Sequence, residues 1–285
     1  MLMESEIKIG LISCFYKASS NYHKDCLDSI FNQTDKEFIF YMFSDDYDME
    51  IPKDKNVKYE KVKNLTSSEI KARGAKKAFL DCMDYICFVD SDDFMDINRI
   101  KIIKNYLKKN RVDLLIHNLN SVDKNGKIIK RDIFNFDEYY LNEFYWEKNN
   151  SGFGNTIYKT RVLKEFLPFP KRTYSMDWDI IFTLSLGRKV FTLKKSLLNY
   201  RQHGNNIVGI NSKMNIKRLE DILKKRSLHY KILKSRFKDD EQVYKIVDSL
   251  YNRNTQKAEE IRKKPDTYLR AYNKKSKELI WWELL

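Results

Sequence analysis

Three carboxylates, Asp90, Asp92 and Asp93, follow directly on the apolar run Tyr85-Ile86-Cys87-Phe88-Val89. Acids crowded at one point repel one another unless a cation shares them. Mg²⁺ or Mn²⁺ held by one or two carboxylates takes its remaining ligands from phosphate and water. A short, continuous apolar run reads as a strand buried on both faces of a parallel sheet, and ligands sit beyond the carboxyl ends of such strands. The run therefore aims its acids at a ligand crevice. The competing reading makes Asp92 or Asp93 only the cap of a helix from Asp96 to Lys109, whose dipole an acid favours.

The elements that must position this cluster can be read in order. Ile7 to Cys14 is a buried-strand candidate, followed by a loop over Lys17 to Asn21 and a helical pattern with Tyr22, Cys26, Leu27, Ile30 and Phe31 on one side. Phe38 to Phe43 gives a second strand ending in Ser44-Asp45-Asp46, Val57 to Val62 a third, and Thr66 to Leu80 a helix. The strand behind Asp90 is then the fourth, and the alternation argues for a parallel, Rossmann-like half. After the strand Val112 to Leu119, Asn125-Gly126 is a hairpin signal that starts antiparallel pairing. Further on, the pattern predicts a helix over Asp137 to Trp146, a flexible loop at Ser151-Gly152-Phe153-Gly154 and a helix from Trp178 to Gly187 after Pro168 and Pro170. Two closing strands, Val190 to Leu193 and Leu197 to Arg201, complete this part. Beyond Ser212 the spacing of Ile216, Leu219, Leu223, Tyr230, Leu233 and Phe237 is wholly helical. The expected organisation is a domain over 1–210 and a helical, basic extension over 211–285.

The 285 residues suffice for a full core, with 42% apolar and 14% aromatic content against a formal charge of +14. Residues 211–285 carry 20 Lys and Arg against 11 Asp and Glu, so the basic excess belongs mainly to the tail. Cys14, Cys26, Cys82 and Cys87 form neither a C-x-x-C pair nor a zinc spacing and read as reduced thiols. The first residues lack the charge of a leader and no run reaches spanning length, so a cytoplasmic protein, or one peripheral on the inner face of the cell membrane, is expected.

Several stretches resemble family 2 glycosyltransferases of the GT-A fold, over roughly residues 6–210. They are Ile12-Ser13-Cys14-Phe15-Tyr16, Cys26 to Thr34, Ser44-Asp45-Asp46, Ala72-Arg73, Phe88 to Asp93, Met176-Asp177-Trp178-Asp179 and Tyr200 to Asn206, in the family's order. The resemblance implies an α/β fold with a Rossmann-like nucleotide-binding half and a mixed-sheet acceptor half. It implies an inverting, metal-dependent transfer of a sugar from a UDP- or dTDP-sugar donor to a glycan or lipid-linked glycan acceptor of a bacterial surface polysaccharide. The segment from Arg201 to Asn206 resembles that of rhamnosyltransferases and related capsule or O-antigen enzymes.

The same resemblance implies roles. Asp92 is the direct metal ligand, Asp90 with Ser91 faces the ribose or the metal through water, and Asp93 orients Asp92. His203 completes the shell of Mn²⁺ or Mg²⁺, an imidazole being an acceptable ligand. Asp45 or Asp46 accepts the imide N–H of uracil or thymine, and Phe15 or Tyr16 flanks that base. Arg73, Arg201 and Asn205 contact the diphosphate or sugar, although the family usually has Asn where Gly74 follows the arginine. Asp177 is the general base, with Met176 where the family often has Glu, and Trp178 joins Trp146 and nearby tyrosines as an acceptor platform. Each has a plainer reading beside it: turn acids, core aromatics, a surface ion pair for Arg73, an N-cap for Asp177.

Two rival functions share some of these features. A sugar nucleotidyltransferase should open with a glycine-rich phosphate loop, which Lys17-Ala18-Ser19-Ser20 is not. A nucleic-acid-binding protein fits the charge, yet acids are interspersed through the tail's basic pattern as on a solvated face, so no nucleic-acid partner is expected. Lysines before Ile280-Trp281-Trp282 suit either peripheral membrane contact or packing back on the chain or across a homodimer.

Overall fold

The computed structural model describes residues 6–134, 151–169, 176–203 and 215–275. Two compact units divide them, one built from 6–134, 151–169 and 180–203, the other from 176–179 and 215–275.

In the first unit, β1 (Ile9–Phe15) is buried along its whole length. It pairs in parallel with β2 (Phe38–Asp45) on one side and β4 (Tyr85–Phe88) on the other. Apolar side chains on both faces are what such a central strand requires. A 3₁₀ turn (Lys17–Tyr22) and α1 (His23–Phe31) link β1 to β2, and β3 (Val57–Val62) adds to the outer side of β2. The loop expected over Lys17 to Asn21 is thus an ordered turn.

α2 (Ser67–Leu80) returns the chain to β4. Its start is fixed by a capping box, in which the Glu69 amide donates to Thr66 Oγ1 at 3.3 Å and the Thr66 amide to Glu69 Oε2 at 2.9 Å. Ile70, Gly74, Ala75 and Ala78 form its buried face. A Cβ on Gly74 would come within 2.7 Å of Ile12 Cγ2 on β1, so the missing side chain is what lets the helix lie this close to the sheet.

The antiparallel part then closes the sheet. β5 (Phe94–Met95) precedes α3 (Arg99–Lys109), β6 (Leu114–Asp123) and β7 (Ile128–Lys130), and β6 and β7 form the expected hairpin. β8 (Thr156–Lys159) runs antiparallel to both β4 and β6, followed by α4 (Thr160–Lys164). After α5 (Met176–Ser185) comes β9 (Val190–Gln202). Among the described residues the sheet order is β3-β2-β1-β4-β8-β6-β9-β5, with β7 on β6.

Two expectations need correction here. The two closing strands are one, β9, whose register against β6 jumps from His117↔Leu193 to Asn118↔Ser196. The exposed pair Lys194-Lys195 bulges out where a break was expected, since a strand absorbs extra residues without ending. The stretch Ser151 to Gly154 is pinned, with Ser151 and Phe153 buried, the Gly152 amide donating to Asn155 Oδ1 at 2.6 Å and Gly154 O accepting from Arg99 Nη2 at 2.6 Å. Met176 to Asp179 groups with the helical extension.

That second unit holds α6 (Ile216–Arg236), α7 (Glu241–Lys263) and α8 (Pro265–Lys275), so the tail is helical as the spacing predicts. Asn215 and Asp240 cap α6 and α7 through side-chain oxygens that accept from Arg218 N and Val243 N. Leu219, Ile222 and Leu223 meet Ala258, Ile261 and Tyr272 in its core. Asn254 Nδ2 donates to Ser227 Oγ at 2.8 Å, and Lys234 pairs with Asp248, so α6 and α7 run antiparallel. The helix expected over Asp137 to Trp146 lies outside the described residues, as do the tyrosines and Trp146 of the acceptor platform.

Candidate active site

The acid cluster stands at the carboxyl end of β4, in the middle of the sheet. Val89 N donates to Ile12 O at 3.1 Å, continuing the pairing with β1, and the chain then turns as Asp93 N donates to Asp90 O at 3.0 Å. β5 seals the turn by pairing Phe94 and Met95 with Asn199 and Leu198 of β9. Gln33, at the exit of α1, stitches the far side, donating to Asp96 O at 2.8 Å and accepting from Ile100 N at 3.0 Å.

Within this frame the three acids have different surroundings. Asp93 is buried and accepts the Arg201 amide at 2.9 Å. Burial, then the charges of Asp92 and Asp90, push its pKa well above the usual carboxylate range. Asp92 is part exposed, and its Oδ2 lies 2.8 Å from His203 Nε2. The Tyr22 ring stacks on that imidazole at 5.2 Å, fixing its plane. Asp90 accepts from Lys71 Nζ at 2.9 Å. Ser91 is buried, its hydroxyl 2.8 Å from Ser19 Oγ, which in turn lies 3.1 Å from His23 Nε2 and donates to Tyr16 O at 3.1 Å. The opening turn after β1 is thereby tied to the acid turn after β4. Burial holds His23 below the ordinary histidine pKa, so it serves this network as a neutral ring.

The donor set at Asp92 and His203 fits a hard divalent cation. One carboxylate oxygen and one imidazole nitrogen stand side by side, reachable from solvent. Among the described residues no group of three or more His, Cys, Asp and Glu donors gathers, so a cation here needs phosphate and water to complete its shell.

Arg201, expected at the diphosphate or sugar, is turned inward. Its side chain is 1% exposed, and it donates to Asp92 O at 2.8 Å, Lys124 O at 2.9 Å and Asp25 Oδ2 at 2.7 Å. The guanidinium lies between the rings of Tyr22 and Phe94, bracing the acid turn from beneath.

Arg73 is not brought to the cluster either. It pairs with Glu60 at 2.5 Å, half exposed, and Lys77 joins the same carboxylate at 2.9 Å. Burial alone would raise the Glu60 pKa, but the two cations outweigh it and hold it below the usual range. The cation at the site is Lys71, which sequence reasoning missed. Residues two apart on a helix point to nearly opposite sides. α2 also begins at the end of the sheet where the parallel strands finish, so its first turns face the crevice. That geometry, together with the small-residue face at Gly74, is the signal that favours Lys71 over Arg73.

Of the base-binding candidates, Phe15 is fully buried, edge-on to His23 at 4.9 Å and to Phe40 at 6.4 Å, and belongs to the core. Tyr16 is part buried, which raises the pKa of its phenol. Asp46, at φ 44°, turns outward to Lys63 at 3.0 Å. Asp45 is half-buried at the end of β2, and its charge is felt at Cys14, whose thiol burial pushes up to about 11.

Asp177 and Trp178 lie in the first turn of α5, within the helical unit. Asp177 Oδ1 accepts the Trp178 amide at 2.9 Å. Trp178 is 5% exposed and stacks on His229 at 4.2 Å, so it packs in the core of that unit. Asn205 lies outside the described residues. Among those described, no helix is long and apolar enough to cross a membrane.

The model of glycosyl transferase family 2 matches residues 11–167. An uncharacterised glycosyltransferase of Methanocaldococcus jannaschii is 26% identical over 205 residues, covering 68% of this chain and 70% of that protein. Among solved structures, TarS of S. aureus (residues 1–349) in complex with UDP-GlcNAc aligns with a TM-score of 0.57 at 20% identity, covering 79% of this chain and 66% of that one. GalNAc-T7 with UDP, GalNAc and Mn²⁺ aligns with a TM-score of 0.53 at 11% identity, covering 87% and 55%. The chain thus spans less than two thirds of the length of these solved chains. At such identities the likeness speaks for the fold, which is GT-A.

Proposed function

Because the chain belongs to glycosyl transferase family 2, we propose that it moves a sugar from a UDP- or dTDP-sugar onto a hydroxyl of a glycan or lipid-linked glycan, with inversion, during synthesis of a bacterial surface polysaccharide. The observation that carries this reading is the pairing of Asp92 with His203 at 2.8 Å, directly beyond the carboxyl end of β4. That is where an α/β sheet presents its ligand, and where a carboxylate and an imidazole can share a cation with a diphosphate. UDP in the two solved relatives supports the donor class, and Mn²⁺ in one of them supports the cation.

Asp92 and His203 would hold Mn²⁺ or Mg²⁺. The bound ion supplies charge neutralisation for the diphosphate as the glycosidic bond breaks. This chain's residues do the rest. Asp93, buried on the Arg201 amide, fixes the turn so that Asp92 and Asp90 point outward. Lys71 holds Asp90 and adds a fixed positive charge at the strand ends, where the phosphates would lie. Asp45, the half-buried member of the pair, is the better candidate to accept an imide N–H, since Asp46 is drawn outward by Lys63. Asp177 takes the proton from the acceptor hydroxyl as that oxygen attacks the anomeric carbon opposite the leaving diphosphate.

A donor screen by nucleotide release tests the reading. UDP- and dTDP-sugars are offered with and without Mn²⁺ to the wild-type chain and to Asp92→Asn. Metal-dependent release of one nucleotide, lost in the variant, is the expected result. Release that is equal with and without metal and equal in the variant overturns it.

A further inference from the structure

On the reading of Asp177 as the base, the helical unit bears directly on the proposed chemistry. The two residues that follow Asp177 are both gripped by one face of α6. Trp178 stacks on His229 with centroids 4.2 Å apart and an interplanar angle of 17°, and meets the Tyr230 ring edge-on at 5.7 Å. Asp179 is fully buried and receives both ends of a guanidinium fork, Arg236 Nη1 to Oδ1 and Arg236 Nη2 to Oδ2, the latter at 2.9 Å. His229 and Arg236 are seven residues apart, two helical turns, and so share that face.

Consecutive residues on a helix project about 100° apart. Anchoring both Trp178 and Asp179 therefore blocks rotation of the first turn of α5 about its axis as well as its sliding along it. Asp177 is the next residue back in that turn and inherits the orientation. Each anchor suits a holding role. A bidentate carboxylate–arginine pair is directional where a lysine would give only a point charge. His229 is buried and kept neutral, since burial first and then the cations Arg236 and Arg226 lower its pKa to about 3, so it stacks as a flat ring.

We propose that Arg236 is a positioning residue: by its fork on Asp179 it fixes the turn that carries Asp177, and the C-terminal helices are thereby part of the transfer apparatus.

The test uses the full chain and the donor and acceptor that give turnover. Arg236→Lys keeps the charge and loses the fork, and Arg236→Ala removes both. Melting temperature, donor KM, transfer kcat and rescue by millimolar guanidinium are measured for each, with Asp177→Asn alongside. The expected result is a tenfold or larger fall in kcat for Arg236→Lys at unchanged donor KM, and partial recovery of Arg236→Ala turnover on adding guanidinium but not on adding methylammonium. If Arg236→Ala does not fold, Arg236→Lys decides alone through its split between kcat and KM. Wild-type kcat in a folded Arg236→Lys, or parallel losses in KM and kcat that track a lowered melting temperature, overturns the proposal while Asp177→Asn remains inactive. Full turnover in Asp177→Asn shows instead that the base reading failed, and this inference falls with it.

Discussion

The turn after β4 and the first turn of α5 both bury an aspartate beside an arginine, and they treat it in opposite ways. Asp93 receives the backbone amide of Arg201, whose guanidinium donates to Asp92 O, Lys124 O and Asp25. Its charged form is therefore disfavoured beside Asp92 and Asp90. Asp179 instead receives both ends of the Arg236 guanidinium fork. A matched buried pair is a structural fastener, since removing one partner strands a charge and costs about 3–5 kcal/mol. An unmatched cluster of acids at the rim of a sheet is a place where a cation can lower the energy. On the proposed function, the difference separates a part that binds from a part that holds.

Variants can break that contrast, beginning with the largest effect. Asp92→Ala should abolish transfer and remove the Mn²⁺ dependence of UDP or dTDP binding measured by calorimetry, with the melting temperature little changed because the side chain is at the rim. Unaltered metal dependence would show that the unmatched cluster does not bind a cation. Asp177→Asn should cut transfer by roughly a hundredfold or more, the usual worth of a positioned base, while donor affinity is kept. Retained turnover with a lowered melting temperature would make Asp177 a cap.

The holding part should announce itself through pH. The folded pKa of His229 is about 3 against an ordinary 6.5, so between those values the unfolded chain takes up a proton that the native one refuses. Above pH 6.5 the residue contributes nothing to the pH dependence. Below it, stability falls by about 1.4 kcal/mol for each pH unit. Thermal melts from pH 7 to pH 4 should show a shallower decline for His229→Phe than for wild type, and parallel curves would remove His229 from the account. The smallest effect sharpens the sheet side: Gly74→Ala should cost about 1–3 kcal/mol through overpacking against Ile12. A wild-type denaturation midpoint would mean that α2 can shift outward at no cost.

Much of the binding side was legible in the chain. Buried parallel strands are apolar on both faces, so β1, β2 and β4 stand out as runs, and acids placed directly after such a run must emerge at the sheet's rim. Helical spacing marked the tail, and Asn125-Gly126 marked the β6–β7 hairpin. What could not be read were choices between neighbours. Arg73 and Lys71 are both basic residues of one helix, and the way that helix packs on the sheet turns Lys71 to the acids and Arg73 to Glu60. Arg201 and Trp178 carry the residue types of ligand contacts, yet both are inside. The bulge at Lys194-Lys195 mimicked a break because local charge conceals that β6 pairs on either side of it.

By itself the sequence determined the class of fold, the strand that delivers the acids and the helical nature of the extension, because each depends on periodicity and composition over a few consecutive residues. The tertiary structure decided the partners: Asp92 with His203, Asp90 with Lys71, Asp179 with Arg236. These pairs join residues 111, 19 and 57 positions apart. No local pattern encodes such separations, since which charges meet is set by how the elements pack, through shape and burial that only the assembled chain possesses.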